Sequence, residues 1–297
     1  MIESVFLGLS VGSILLLIAL GLSITYGAMG IINMAHGELL MIGAYCAVLT
    51  RIHLGFSMYL AIPVAFVIAA AVGFMIEYFV VRRLYSRLMD TLLATWGIAI
   101  ILQQLIRLEF GLSFVGIHFD GLGPGLQNSG MPVGLQGSFH LLGANIPIFR
   151  TFVIFVSLAT FCLTWAIIYR TSLGTQLRAV TRNAKMAAAC GVNVKRINTL
   201  AFSYGAGIAG VAGVLLSGFE SVKPDMGSSF VIDGFLVVVT GGVNSLFGTL
   251  LSAGILGEVR ALLAILWNDV LAQAAVFAGV IFIILIRPQG LFFTKSR

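Results

Sequence analysis

Arg170-Thr-Ser-Leu-Gly-Thr-Gln-Leu-Arg-Ala-Val-Thr-Arg-Asn-Ala-Lys-Met-Ala-Ala-Ala-Cys-Gly-Val-Asn-Val-Lys-Arg-Ile-Asn198 is a water-compatible stretch between two long apolar segments. In it Arg178, Arg182, Lys185, Lys195 and Arg196 surround the small-residue run Ala187-Ala188-Ala189-Cys190-Gly191. Everything on either side suits lipid, so this island marks a face where the chain emerges from a membrane into water. The rest of the sequence is read from that boundary.

Hydrophobic residues make up 59% of the 297, and charged residues only 9%, against about 25% in ordinary soluble domains. A soluble domain of this size cannot hide so much apolar surface, so the chain is a polytopic membrane protein of the all-α class. The formal charge of +6 does not point to nucleic acid, because the cations sit in short loops between apolar runs. Cys46 and Cys162 lie inside apolar runs and Cys190 in the basic island, with no spacing that suggests a disulfide framework or a zinc site. The N-terminus, Met1-Ile2-Glu3-Ser4, lacks a basic leader, so residues 4–26 read as a retained span rather than a cleaved signal.

A helix needs roughly 20 apolar residues to cross a bilayer. The expected spans are 4–26, 37–50, 57–81, 91–108, 149–169, 199–219, 233–243, 246–264 and 270–286. Two of them are short and interrupted by glycine, so the expectation is about nine crossings, between eight and ten. Arg82, Arg83 and Arg87 form one basic cluster, residues 170–196 a second, and Arg287, Lys295 and Arg297 a third; together they hold 12 of the 17 Lys and Arg residues. An even number of expected spans separates each cluster from the next. The excess of cations in cytoplasmic loops then places all three in the cytoplasm, with the N-terminus outside and the C-terminus inside. The long Gly-rich segment 109–148 falls on the outer side and reads as a loop, or as a cap holding a short hairpin or helix.

Sliding the chain along itself by 197 residues superposes Gly8 on Gly205, Gly21 on Gly218, Gly30 on Gly227 and Gly37 on Gly234. An odd number of spans lies between the copies, so the sequence implies an inverted internal repeat with halves at about 1–108 and 199–297 in a single transmembrane domain, 1–297. Inverted repeats with broken helices are a transporter pattern, with solute passing near the midplane; glycine-rich membrane helices also match one another by chance. In this register His36 and Asp233 are equivalent. The stretches 29–38 and 226–234 each read as an interrupted, partly polar segment leading into a short apolar helix.

Charged side chains at membrane depth are costly, so Glu38, Glu77, Asp233 and Glu258 each need an explanation. His36, Glu38 and Asp233 are candidates for lining a path. The plainer reading is helix-end chemistry, with Asp233 as an N-cap and Glu38 in the first turn of its helix. Asn33, Thr95, Gln103, Gln104, Thr240 and Asn244 add neutral donors and acceptors, which suit a small uncharged polar solute and also serve helix–helix hydrogen bonds. No cluster resembles an enzyme site: His36-Gly-Glu38 lacks the two histidines one turn apart of a zinc protease helix, and His53, His118 and His140 are scattered.

There is also no G-x-x-x-x-G-K-[ST] phosphate loop in the chain. No cofactor is therefore expected on this chain, and any ATP energy must come through a partner. Residues 174–182 lead into a short expected helix, about 183–190, which Gly191 can end in the left-handed conformation. Small on one side and basic on the other, that helix can sit in the groove of an ATPase; the bland alternative is an ordinary positive loop.

Tyr26-Gly-Ala-Met-Gly-Ile-Ile-Asn-Met-Ala-His-Gly-Glu38 resembles the first-half signature of permease subunits of branched-chain amino acid-type ABC importers. Asn183-Ala-Lys-Met-Ala-Ala-Ala-Cys-Gly-Val-Asn193 resembles their coupling segment, and Arg287-Pro-Gln-Gly-Leu291 their C-terminal ending. The resemblance covers essentially the whole chain. It implies a heterodimer with a second, related permease, two cytoplasmic ATPases that bind the ATP, a periplasmic solute-binding protein and a bacterial inner membrane. It also implies coupling through Arg178, Arg182, Lys185, Ala188 and Gly191. Asp90-Thr-Leu-Leu-Ala-Thr-Trp-Gly-Ile-Ala-Ile-Ile-Leu-Gln-Gln104 is similar to the urea-importer branch, so urea is the expected solute, with branched-chain amino acids as the alternative. A stand-alone channel or ion-coupled carrier is the alternative of another class.

Overall fold

The computed structural model describes residues 2–55, 58–85, 87–107, 126–127, 129, 131–141, 144–243, 245–287 and 290–292. Its helices are α1 (Ile2–Met29), α2 (His36–Leu54), α3 (Met58–Phe79), α4 (Leu88–Arg107), α5 (Ile148–Arg170), α6 (Ser172–Arg182), α7 (Ala184–Ala189), α8 (Val194–Leu216), α9 (Met226–Gly241), α10 (Leu246–Leu266) and α11 (Asp269–Ile286). A short antiparallel hairpin, β1 (Ser138–Leu141) with β2 (Ala144–Pro147), pairs Ser138 with Pro147 and Leu141 with Ala144. Among the described residues eight helices are long and apolar enough to cross a membrane, and α9 is a shorter apolar helix. Each of the nine expected spans coincides with one of these helices over most of its described residues.

Contacts divide the chain into two compact units. One comprises Ile24–Met131 and Ala166–Val231. Within it α8 is buried along nearly its whole length, with α2 and α3 packed on it. Apolar helices gain nothing by leaving lipid for each other, so close backbone approach over small residues must hold them. That approach is extreme here. A Cβ on Gly43 would run into the carbonyl of Gly210, and one on Gly213 into the carbonyl of Leu40. A Cβ on Gly210 would lie 2.7 Å from the carbonyl oxygen of Ala65. By contrast α4 buries only Thr91, Thr95, Ala99 and Ile106, a single helical stripe, and exposes Leu93, Trp96 and Ile101.

The other unit comprises Met1–Ser23, Pro132–Trp165 and Ile232–Arg297. Ser245 and Asn268 cap α10 and α11, accepting from the backbone of Gly248 and Leu271. A Cβ on Gly12 of α1 would lie 2.8 Å from the carbonyl oxygen of Ala253 on α10. After α11 the chain turns back: Gly290 takes φ +87°, and Leu291 N–H donates to the carbonyl of Thr240 at 2.8 Å. The ending Arg287 to Leu291 therefore closes the last turn of α9; Pro288 and Gln289 lie outside the described residues.

Three expectations need adjustment. The stretch 226–234 is not interrupted: it is the first half of α9. Its serines tolerate a first helical turn, and Ser228 Oγ donates to the Asp225 carbonyl. As a result Asp233 stands in mid-helix and is not an N-cap, whereas His36 opens α2. Counted from the helix starts, Gly37 corresponds to Gly227 rather than to Gly234. The outer segment does hold a hairpin, at 138–147, while 108–125 lies outside the described residues.

Gly43→Ala should lower stability by about 1–3 kcal/mol, the usual cost of overpacking. Gly97→Ala, on α4 with open space at its Cβ, should be neutral or slightly stabilising. Thermal unfolding of the purified chain in detergent compares the two; equal melting of both variants would contradict the close approach of α2 and α8.

Candidate functional site

The chain breaks helix between α1 and α2. Gly30 adopts φ +67° and ends α1 with its N–H on the Tyr26 carbonyl, and residues 30–33 are neither helix nor strand. The break is nonetheless interior: Ile31, Asn33, Ala35 and His36 are buried. Irregular backbone at such a place persists only where protein satisfies its amides. Asn33 Oδ1 accepts from Ala35 N–H at 3.1 Å, and Thr95 Oγ1 on α4 accepts from Met34 N–H at 3.1 Å. Glu38, in the first turn of α2, accepts from Gln103 Nε2 at 2.8 Å. The buried side-chain atoms without a hydrogen-bond partner include Asn33 Nδ2, a donor, and Glu38 Oε2. Leaving each unsatisfied costs about 1–3 kcal/mol, so each favours a polar partner from water or solute.

Asp233 has a different setting in its own unit. Its carboxylate is 7% exposed and accepts from Arg260 on α10 at 2.9 Å and from Gln273 on α11 at 3.4 Å. The adjacent cavity, lined by Leu15, Leu236, Leu256 and Phe277 among others, has a volume of about 10 Å³, enough for one water and not for a solute. Thr240 donates to the Leu236 carbonyl and accepts from Ser252 Oγ at 2.8 Å. A larger cavity of about 380 Å³ lies beside Glu3, Asn145 and Arg150.

The basic island folds into two helices. Thr171 caps α6, accepting from Gly174 N–H at 3.1 Å, and Asn183 caps α7, accepting from Met186 N–H at 3.0 Å. Gly191 ends the pair at φ +85°. Val180 of α6, Ala187 of α7 and Ile197 of α8 form a small core, with Leu177, Val192 and Val194 packed against it. Arg178 turns back, donating to the Ile168 carbonyl at the end of α5 and lying 5.1 Å over the Tyr169 ring. Arg182, Lys185, Met186, Ala188 and Gly191 are exposed.

The family profile described as branched-chain amino acid transport system / permease component matches residues 4–286. The chain belongs to this family. It is 33% identical to the high-affinity branched-chain amino acid transport system permease protein LivH of Escherichia coli, over 98% of this chain and 94% of that protein. To the permease protein BraD of Pseudomonas aeruginosa it is 30% identical, over 96% of this chain and 93% of that one. To LivM of E. coli it is 25% identical, over 94% of this chain and 67% of the relative. No solved structure gives a significant match.

Within this permease the sequence-predicted residues divide. Asn33, Glu38, Thr95 and Gln103 come together around the break, beside fully buried His36. Gln104 falls on the exposed side of α4, because it is one residue, about 100° of helix, past Gln103. Asp233 and Thr240 are engaged with other partners, and Asn244 lies outside the described residues. Sequence reasoning missed Arg260 and Gln273. The signal was present: Arg260 is a cation inside an apolar span, and an intramembrane acid and base each solve the other's cost.

Removing one member of the Asp233–Arg260 pair strands a buried charge. Asp233→Ala and Arg260→Ala should each cost about 3–5 kcal/mol, and the double variant clearly less than their sum. Denaturation of the four proteins in detergent measures this; strict additivity would show that the two charges do not interact.

Proposed function

We propose that the chain is a membrane-spanning permease subunit of an ABC importer and that its solute is a branched-chain amino acid. The observation that carries the solute class is the state of the buried carboxylates. Three are buried among the described residues: Glu38, Glu77 and Asp233. Glu77 lies 3.5 Å from Arg82 and Asp233 lies 2.9 Å from Arg260. Glu38 is held by a neutral amide, Gln103, with its second oxygen unpartnered and the donor Asn33 Nδ2 also open. A buried carboxyl that lacks a cationic partner, together with an open amide donor on Asn33, fits a solute carrying an ammonium and a carboxylate. The urea expectation rested on a neutral lining and on the resemblance of residues 90–104. The names of the relatives support amino acids instead.

In this reading the cytoplasmic ATPases dock on the exposed face of α6 and α7, at Arg182, Lys185, Ala188 and Gly191, while Arg178 fixes α6 to α5 and acts indirectly. ATP is bound by those subunits and by no group of this chain. A second, related permease completes the path, and a periplasmic binding protein delivers solute to the outer loops. Two of these are tied together, Gln127 pairing with Val222 through backbone hydrogen bonds of 2.8 and 2.7 Å. The chain lies in a bacterial inner membrane with its N-terminus outside, and solute passes Asn33, His36, Glu38, Thr95 and Gln103.

The test is uptake by the complete complex in proteoliposomes. Leucine should be taken up in an ATP-dependent way and should not be displaced by excess urea. Glu38→Gln, which keeps size and removes charge, should lower leucine uptake about 10- to 100-fold, the worth of a charged hydrogen bond. Urea uptake indifferent to leucine would reassign the solute, and uptake without the ATPases would end the importer reading. Lys185→Glu with Arg182→Glu should separately reduce the ATPase that co-purifies with the tagged chain.

A further inference from the structure

We propose that Glu77, Arg82 and Tyr85 act with Thr199 as a transmission latch, positioning residues that make α3 follow α8 when the basic helix pair is displaced. The inference rests on the coupling reading above and goes beyond it by naming how the displacement leaves the helix pair.

Glu77 is the one charged residue of α3 and is fully buried, two residues before the helix ends. After α3 the chain makes a single 3-10 turn, Val81–Arg83, which brings its next polar side chains back over that end. Tyr85 Oη donates to Glu77 Oε1, and Arg82 Nε stands 3.5 Å from the same oxygen. Arg82 also lies 4.7 Å over the ring of Tyr78, and its Nη2 donates to Thr199 Oγ1 at 2.7 Å. Thr199 is on α8 and is itself oriented by donation to the Lys195 carbonyl at 2.8 Å. One guanidinium therefore bridges the end of α3 to the first turns of α8. Burial and the neighbouring carboxylate push the Tyr85 phenol well above its usual range, so it remains a donor at any physiological pH.

The position of the bridge gives it a mechanical meaning. Ile197, two residues before Thr199, packs into the core with Val180 of α6 and Ala187 of α7. Two residues are about 200° of helical rotation, so the first turns of α8 are gripped on one side by the helix pair and on the other by Arg82. Further along, α8 meets α3 and α2 through glycine contacts that leave no slack: Gly73 against Ala206, Gly210 against Ala65, Gly43 against Gly210. A push on the helix pair reaches α8 through Ile197. The latch keeps α3 in step at the cytoplasmic end, and the glycine contacts pass the movement to α2, which carries Glu38.

Stability alone does not call for this arrangement. The α3–α8 contact is already made by small residues, and an apolar pair is often as stable as a buried ion pair or more so. What an ion pair adds is a fixed register between two helices. The latch should therefore matter more to solute moved per ATP than to folding or to ATPase docking.

The experiment uses the complete complex in proteoliposomes, with leucine uptake and ATP hydrolysis measured together, and detergent melting of each variant. Glu77→Gln and Thr199→Val should lower leucine moved per ATP about tenfold, while the amount of bound ATPase and basal hydrolysis stay near wild type. Thr199→Ser, which restores the acceptor, should recover the ratio. Wild-type ratios in both Glu77→Gln and Thr199→Val would overturn the latch. So would a loss that tracks melting temperature and is not recovered by Thr199→Ser. Failure of the underlying reading shows separately, in the unmutated complex, as uptake that needs no ATP.

Discussion

The packing of α8 is a problem of shape rather than hydrophobicity. Lipid tails solvate leucine as well as a neighbouring helix does, so nothing apolar draws α8 out of lipid. What holds it is a surface of glycine and alanine against which α2 and α3 close to backbone contact. Dispersion at such short range grows with every added atom pair, and it fails if one side chain intrudes. The constraint also rules out gradual adjustment: close-packed faces shift as bodies or not at all.

That rigidity is what permits the irregular backbone between α1 and α2. Residues 30–35 could not survive facing lipid, because each unpaired amide would cost several kcal/mol, on the order of a lost hydrogen bond in hydrocarbon. Here Thr95 and the Asn33 side chain supply partners, and α4 can present Thr95 and Gln103 only because its buried stripe is fixed. Gly37 extends the same logic. Its place beside the carbonyl of Gly227 is reciprocal, each glycine occupying the space that a Cβ on the other would need. A break in a helix, a close glycine contact and a buried carboxylate thus fall within three residues of one another, at His36 to Glu38.

Much of the fold was legible because the deciding signals are local. Apolar runs marked the eight spanning helices and the shorter apolar α9, and Gly191 announced a helix end by a left-handed conformation that needs no tertiary contact. An interruption was expected over 29–38, and the chain is irregular there at 30–33. What failed was register and partnership. Glycines recur so often in these helices that a shift of 197 found good matches, yet it set His36, the first residue of α2, against Asp233 in the middle of α9. Arg260 and Gln273 went unnoticed because pairing across three helices leaves no mark in any one of them. Arg178 read as a docking cation and is spent on the end of α5. Arg182, one turn further along the same face, is exposed; what separates the two is where the end of α5 lies against α6, which the sequence alone does not give.

The buried carboxylates differ in what holds them. A carboxylate inside the bundle can be neutralised by a guanidinium, as at Asp233 and Glu77, and is then bound to its place. A solute cannot displace such a partner without stranding it, at a cost of about 3–5 kcal/mol. A carboxylate held only by an amide has no such commitment. Gln103 fixes the orientation of Glu38 without supplying a counter-charge. Under the proposed function, the ammonium of an amino acid would supply the cation that Glu38 lacks, which a neutral solute would not. The amide of Asn33, three residues before the start of α2, stands where the positive end of the helix also favours a carboxylate. On that ground the proposed solute is one that carries both charges.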